Sequence, residues 1–154
     1  MQLRDEVELL RRVPLFAGVA PAKLKLLAFT SDRVNYDAGQ VLFRQGDPGD
    51  AAYVLLSGSA DILVNSESGE IKVATLETNS IVGEIAIICD DTRSATVRAV
   101  TPLETLRIRK DHFLRMLVEF PEMAVVIMRE LAERLSRTTS ELSAARSELR
   151  RKAN

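Results

Sequence analysis

The sequence predicts an α+β, mainly β fold: an antiparallel β-roll, a double-stranded jelly-roll barrel, with short N-terminal helices and a long C-terminal helix. Three patterns predict it: helical apolar spacing within residues 1–31, short β-branched stretches within residues 32–109, and helical spacing again within residues 111–152. A chain of 154 residues, 46% of them hydrophobic, can bury one core. We therefore expect a single domain over residues 1–154.

The elements before and within the roll follow from local patterns. Two short helices are predicted, from Glu6 to Arg12 and from Pro21 to Thr30, with Pro14 and Gly18 between them. Six stretches bounded by glycine- and aspartate-rich turns predict strands: Gln40 to Phe43, Ala52 to Leu56, Ala60 to Val64, Lys72 to Leu76, Thr96 to Val100 and Glu104 to Ile108. Many short strands at this spacing are typical of a barrel or jelly roll.

The C-terminal part is predicted to be helical, with Asp111 as N-cap of one helix through Leu117 and a longer helix from about Pro121. The longer helix repeats residues at alternating intervals of four and three: Ala124, Met128, Leu131, Leu135, Thr138, Leu142, Ala145 and Leu149. This heptad seam favours a homodimer through the same helix of a second copy. A single amphipathic helix on its own barrel is the alternative, since the two periods overlap.

Charge and composition limit the classes of function. A formal net charge of −1 provides no basic field for non-specific nucleic-acid binding, so an anion must be recognised locally. The single cysteine, Cys89, cannot form an intrachain disulfide, and the N-terminus lacks the apolar core of a signal peptide. Apolar runs are too short to cross a bilayer. We expect a cytoplasmic protein with no membrane insertion.

The stretch that begins at Gly83 has the features of an anion cradle. The glycine opens a short apolar turn, and amides at the start of a helical turn, here those of Ile85 and Ala86, carry partial positive charge. Arg93 offers planar paired donors to phosphate oxygens, and the Ser94 hydroxyl adds a neutral donor. These residues together predict a phosphate site.

Glu84 needs a different partner in this cradle, residues 83–96, because a phosphate repels a nearby carboxylate. A hydroxyl between them, such as a ribose 2′-hydroxyl, makes the carboxylate useful as an acceptor. Asp90 and Asp91 would also repel an anion, so we expect both to face solvent. The Glu84 acceptor, the Ile85 and Ala86 amides and Arg93 together predict a site for a ribose phosphate.

A longer stretch supports this interpretation. Residues 36–58, YDAGQVLFRQGDPGDAAYVLLSG, resemble the glycine-punctuated barrel signature of the cyclic-nucleotide-binding domain family, and the cradle resembles that family's phosphate-binding cassette. With Pro14-Leu15-Phe16 and the order of elements, the resemblance covers nearly the whole chain. It implies a sensor domain that binds cAMP or cGMP and performs no chemistry on it.

The resemblance assigns roles within the cassette. Glu84 is expected to bind the ribose 2′-hydroxyl, and Arg93 and Ser94 the cyclic phosphate. The other cassette positions expected to bind the ligand are Val82, Gly83, Ile85 and Ala86, the last two through their amides. Many members have a proline just before the arginine, whereas this chain has Thr92, so the loop is expected to be less rigid.

Residues 132–139 resemble the central helix of the catabolite activator branch of the family. The resemblance adds Arg134, Thr138 and Thr139 to the expected ligand set, with the threonines contacting the purine from both subunits of a dimer; Thr138 could instead be only a tolerated seam residue. A hydroxyl both donates and accepts, so cAMP is favoured but cGMP stays possible. That branch continues into a DNA-reading helix-turn-helix, but this chain stops at Asn154, so we expect an unidentified protein partner and no direct DNA binding.

The sequence allows three alternatives to a complete sensor to be compared. A sensor fragment of a longer transcription regulator is compatible with the sequence, whereas a ligand-free dimerisation module is disfavoured by the intact Glu84, Arg93 and Ser94. A cupin-like metalloenzyme needs several histidines, but the chain has only His112, for which a capping or surface role is expected. We expect no catalytic residue, metal or cofactor, and signalling through movement of the C-terminal helix.

Overall fold

The computed structural model describes residues 3–153, and the side chains of residues 5–152. Helices flank the β region on both sides, and one short helix interrupts it. The helices are α1 (Leu3–Arg11), α2 (Pro21–Thr30), α3 (Glu84–Ile88), α4 (Lys110–Glu119) and α5 (Pro121–Ala153), with a 3₁₀ turn at Pro14–Phe16. The strands are β1 (Asp32–Tyr36), β2 (Val41–Phe43), β3 (Ala51–Ser57), β4 (Ala60–Ser66), β5 (Gly69–Leu76), β6 (Ile81–Val82), β7 (Thr96–Ala99) and β8 (Leu103–Arg109).

The described strands form two four-stranded antiparallel sheets, in the orders β1-β8-β3-β6 and β2-β7-β4-β5. The predicted antiparallel β-roll is therefore confirmed, and each of the six predicted strands overlaps an observed one. Two strands were not predicted. The sequence of β1, DRVNY, has few apolar residues and no buried one, and β6 is only two residues long.

Strand β3 contributes side chains to both hydrophobic cores, the one inside the roll and the one beneath the helices. Its first six residues are all buried, because one face packs inside the roll and the other packs under the helices. Tyr53 and Leu55 belong to the core between the sheets, whereas Val54 and Leu56 belong to the core that α1, α2, α4 and α5 cover. Burial on both faces accounts for a continuous apolar run in place of alternation.

The predicted N-cap at Asp111 is wrong. Helix α4 begins at Lys110 with Arg109 as N-cap, and the Asp111 carboxylate instead accepts a hydrogen bond from the His112 backbone N–H at 3.0 Å. A capping or surface role was expected for His112, and its Nδ1 lies 3.1 Å from the Thr30 carbonyl oxygen at the end of α2, not at the start of α4. Because a carbonyl can only accept, Nδ1 carries the proton. This histidine joins two helices and lies outside the predicted cradle.

Helix α5 divides into two parts. Met123 and Ile127 are buried in the core and Leu131 packs against it, but every described side chain from residue 132 onwards is exposed. Leu135 is 68% exposed although it belongs to the seam. Packing on the chain's own barrel therefore describes only the first three turns of α5. None of the described helices combines the length and the apolar character that a membrane span requires.

Candidate ligand-binding site

A cavity of about 590 Å³ opens between the roll and the C-terminal helix. Its apolar wall comes from strands and their ends: Phe43, Ile62, Leu76 and Val97. Its polar end is formed by residues 82–86 with Arg93 and Ser94, and two further arginines, Arg12 and Arg134, also line the cavity. One side of the cavity therefore suits a flat apolar group and the other suits an anion.

Gly83 shapes the polar end. It precedes α3 as N-cap with φ of +91°, a conformation that an L-residue with a Cβ rarely adopts. A Cβ at this position would lie 2.5 Å from Nη1 of Arg93 and 3.0 Å from the Ala51 carbonyl oxygen. The glycine therefore allows both the turn into α3 and the close approach of the arginine. The first amides of α3 have no carbonyl partner within the helix, as at any helix start.

Several neighbouring groups hold the Arg93 side chain in place, but one of its N–H donors has no partner among them. Its side chain is 1% exposed; Nη1 donates to the Gly83 carbonyl at 2.9 Å, and Nη2 to the Ala51 carbonyl at 2.6 Å. Nη2 also lies 3.3 Å from Asp50 Oδ1, and the guanidinium carbon lies 4.0 Å from the centre of the Phe43 ring. Nε is buried and has no hydrogen-bond partner. An orphaned donor on a buried cation at the cavity wall suits an anionic oxygen.

Glu84 is the second buried ionisable group at this end. Its side chain is only 3% exposed, and Arg134 Nη1 from α5 donates to its Oε1 at 3.2 Å. Burial raises the pKa of Glu84, while its own backbone N–H and Arg134 partly offset that rise. The carboxylate is thus a nearly buried acceptor in the cavity wall, connected to α5 by a side chain that is itself 46% exposed.

The structure brings most of the predicted ligand set to this cavity. The residues that line it are Val82, Gly83, Glu84, Ile85, Ala86, Arg93, Ser94 and Arg134. Thr138 and Thr139 do not line the cavity; both are exposed, and the Thr138 hydroxyl donates to the Arg134 carbonyl of its own helix at 2.9 Å. A contact of these threonines with ligand bound to another copy stays a prediction.

Both aspartates of the cassette face solvent, as expected. Asp90 and Asp91 are exposed, and Lys110 lies 2.8 Å from Asp90, lowering the pKa of that carboxyl. Their charge is therefore directed away from the anion end. Among the described residues, no group of three or more histidine, cysteine, aspartate or glutamate side chains is arranged to hold a metal ion.

Sequence reasoning missed the apolar wall of the cavity and several polar residues at the site, among them Phe43, Asp50, Arg12 and Asn79. Phe43 and Asp50 lie in the stretch that carried the resemblance, but nothing local shows that they meet an arginine more than forty residues away. Arg12 and Asn79 line the cavity from loops. A polar Thr-Asn-Ser turn just before the cassette was the one available signal for Asn79.

The β-roll with an internal anion end defines a ligand-binding regulatory domain, and comparison with known proteins gives its family. Residues 33–120 match the family described as "Cyclic nucleotide-binding domain". Because this match covers more than half of the chain, the chain belongs to the cyclic nucleotide-binding domain family.

Individual relatives agree with this assignment. The chain is 34% identical over 108 residues to the cAMP-dependent protein kinase regulatory subunit of Aspergillus niger, covering 70% of this chain and 26% of that protein. The sensor domain of the transcriptional regulator DNR from Pseudomonas aeruginosa superimposes with a TM-score of 0.79 at 30% identity, covering 90% of this chain and 94% of that one. The catabolite activator protein of Thermus thermophilus gives 0.78 at 31% identity, over 84% and 62%. The chain thus spans about a quarter of the fungal kinase subunit.

Proposed function

We propose that this domain binds a cyclic purine nucleotide, with cAMP preferred and cGMP possible, and signals through the position of α5 without changing the ligand chemically. One observation carries the proposal. Arg93 is buried at the end of the cavity beside the first amides of α3, with its Nε lacking any partner. A cyclic phosphate oxygen would accept from this donor, and Ser94 and the amides of Ile85 and Ala86 would bind the other oxygens.

Glu84 supports a ribose rather than a bare phosphate. Its buried carboxylate accepts from Arg134 at 3.2 Å, and a 2′-hydroxyl would donate to the same carboxylate. Ligand binding at Glu84 therefore acts on a contact that α5 makes with the cassette. A ligand shifts such an equilibrium only by its difference in affinity for the two states, so this contact is where binding would change helix position.

The exposed part of α5 supports dimer formation and partner recognition. Its seam includes Leu135, Leu142 and Leu149, all more than half exposed in the single chain. Pairing with a second copy would cover these leucines. In this arrangement Thr138 and Thr139 of either copy would contact purine, and the remaining faces of α5 would dock an unidentified protein partner.

The experiment is calorimetric titration of purified protein, free of carried-over ligand, with cAMP, cGMP and 5′-AMP. We expect about one site per chain and tighter binding of cAMP. Arg93→Ala should weaken binding about 10- to 100-fold, the effect of losing hydrogen bonds to a charged group. Arg44→Ala, an exposed arginine outside the cavity, should leave affinity unchanged.

Arg93→Ala is also expected to change the stability of the fold. Removing the side chain would leave the Gly83 and Ala51 carbonyls without their donor, so we also expect lower thermal stability. Melting curves and Arg93→Lys, which keeps the charge, separate the two effects. If well-folded wild-type protein bound neither cyclic nucleotide, the proposal would be wrong and a ligand-free dimerisation module would replace it.

A further inference from the structure

Asn79 is a polar residue of the cavity wall that the fold does not explain. It lies in the loop between β5 and β6, where its backbone N–H donates to the Leu55 carbonyl at 2.9 Å. Its side-chain amide makes no hydrogen bond with any described residue, and its Oδ1 is buried. Nearly all buried polar groups in proteins are paired, so this amide needs an explanation.

The backbone conformation at Asn79 could also be adopted by glycine, so it does not by itself require an amide side chain. Its φ is +73°, in the left-handed region, where glycine is free of strain and asparagine is the best tolerated alternative. A glycine would meet the backbone requirement without burying an amide oxygen. The asparagine therefore adds a group to the cavity wall that costs stability in the absence of ligand.

The position of Asn79 suits the base of a nucleotide. Among the described residues that line the cavity, the neutral polar side chains are those of Asn79, Ser80 and Ser94, and Ser94 lies at the anion end. Asn79 follows the apolar wall residue Leu76 by three positions. A purine has apolar faces and a polar edge, so it needs both an apolar wall and a donor–acceptor pair.

We propose that Asn79 recognises the purine edge and selects adenine; this inference rests on the proposed function. Oδ1 is buried in this structure, so the side chain would have to rotate about its Cα–Cβ and Cβ–Cγ bonds to present both the oxygen and the nitrogen to a bound base. The oxygen then accepts from the 6-amino group of adenine and the nitrogen donates to N7, the pairing that asparagine makes with adenine elsewhere. On the same edge guanine presents two acceptors, O6 and N7, which leave the amide oxygen without a donor.

The test compares cAMP with cIMP, which replaces the 6-amino group by an oxygen, on wild type and Asn79→Gly. Glycine keeps the left-handed backbone and removes only the amide. We expect Asn79→Gly to weaken cAMP binding about 3- to 10-fold more than cIMP binding, the range for the one neutral hydrogen bond that only the 6-amino group makes, because N7 is present in both nucleotides. Ser143→Ala, at an exposed position of α5 outside the cavity, is the control and should not change the ratio of the two affinities.

The outcomes separate this inference from the proposed function. Equal weakening of cAMP and cIMP, or no weakening of either, would overturn base recognition while leaving cyclic-nucleotide binding intact. A fall in melting temperature of Asn79→Gly without a change in the cAMP to cIMP ratio would assign the residue a structural role. If wild type bound neither nucleotide, the proposed function would fail and this inference with it.

Discussion

The cassette and the distal part of α5 differ in burial. A single chain encloses the key side chains of the cassette but leaves those of distal α5 exposed. Arg93 and Glu84 are almost entirely enclosed, and each has hydrogen-bond partners from distant parts of the sequence. From residue 132 onwards α5 has no buried described side chain, although its leucines recur at the spacing of a helix interface. The candidate site is thus organised within one chain, whereas the seam leucines are left exposed by the single chain.

The largest effect should come from Gly83→Ala, which tests how rigidly the cassette is organised. A Cβ would collide with Arg93 and add strain at positive φ, so we expect a loss of about 2–5 kcal/mol in unfolding free energy, with weaker nucleotide binding. Gly39→Ala is the matched control, because Gly39 has φ of +89° and nothing within 4 Å of the new Cβ. It should show only the strain, about 1–2 kcal/mol. If Gly83→Ala and Gly39→Ala lost the same unfolding free energy in chemical denaturation, the cassette would be shown to tolerate the extra atom.

A smaller effect, confined to assembly, should follow from Leu142→Asp on the seam. A charge on an apolar interface should raise the dimer Kd about 100-fold, corresponding to about 3 kcal/mol, in sedimentation experiments. Ser143→Asp, one residue away and off the seam, should leave the dimer intact. A wild-type protein that stayed monomeric at all concentrations would contradict the assignment of the seam as an interface.

The smallest effect concerns Glu84, where burial opposes stability. Its pKa is raised in the native state, so its contribution to stability is present below the unfolded value of about 4.5 and is lost as pH rises through the native value. Glu84→Gln should therefore melt at a higher temperature than wild type at pH 7, with the difference closing on acidification, while nucleotide binding weakens. Glu141→Gln on exposed α5 should shift neither. A melting temperature lowered at pH 7 would show that the ion pair with Arg134 outweighs burial.

The sequence predicted the roll well because turn residues and β-branched runs are local signals. It failed at β1, whose partial burial on one face depends on pairing with β8, and at Asp111, where the strand simply runs into the helix. Site residues within residues 83–94 were predicted because they are contiguous. The partners of Arg93 and Glu84 were not, because Ala51 and Arg134 lie 42 and 50 residues away and meet them only after folding.

Arg134 is the residue of α5 that contacts the cassette, so the proposed movement of α5 would pivot there. Helix α5 continues from it to Ala153, and at 1.5 Å per residue this segment is about 30 Å long. A tilt of about 10° at the Glu84 contact would move the far end by about 5 Å, roughly one helical turn. The displacement would grow in proportion to the distance from Arg134, so under the proposed function a contact the size of one hydroxyl group at the cavity would produce its largest movement at the far end of α5.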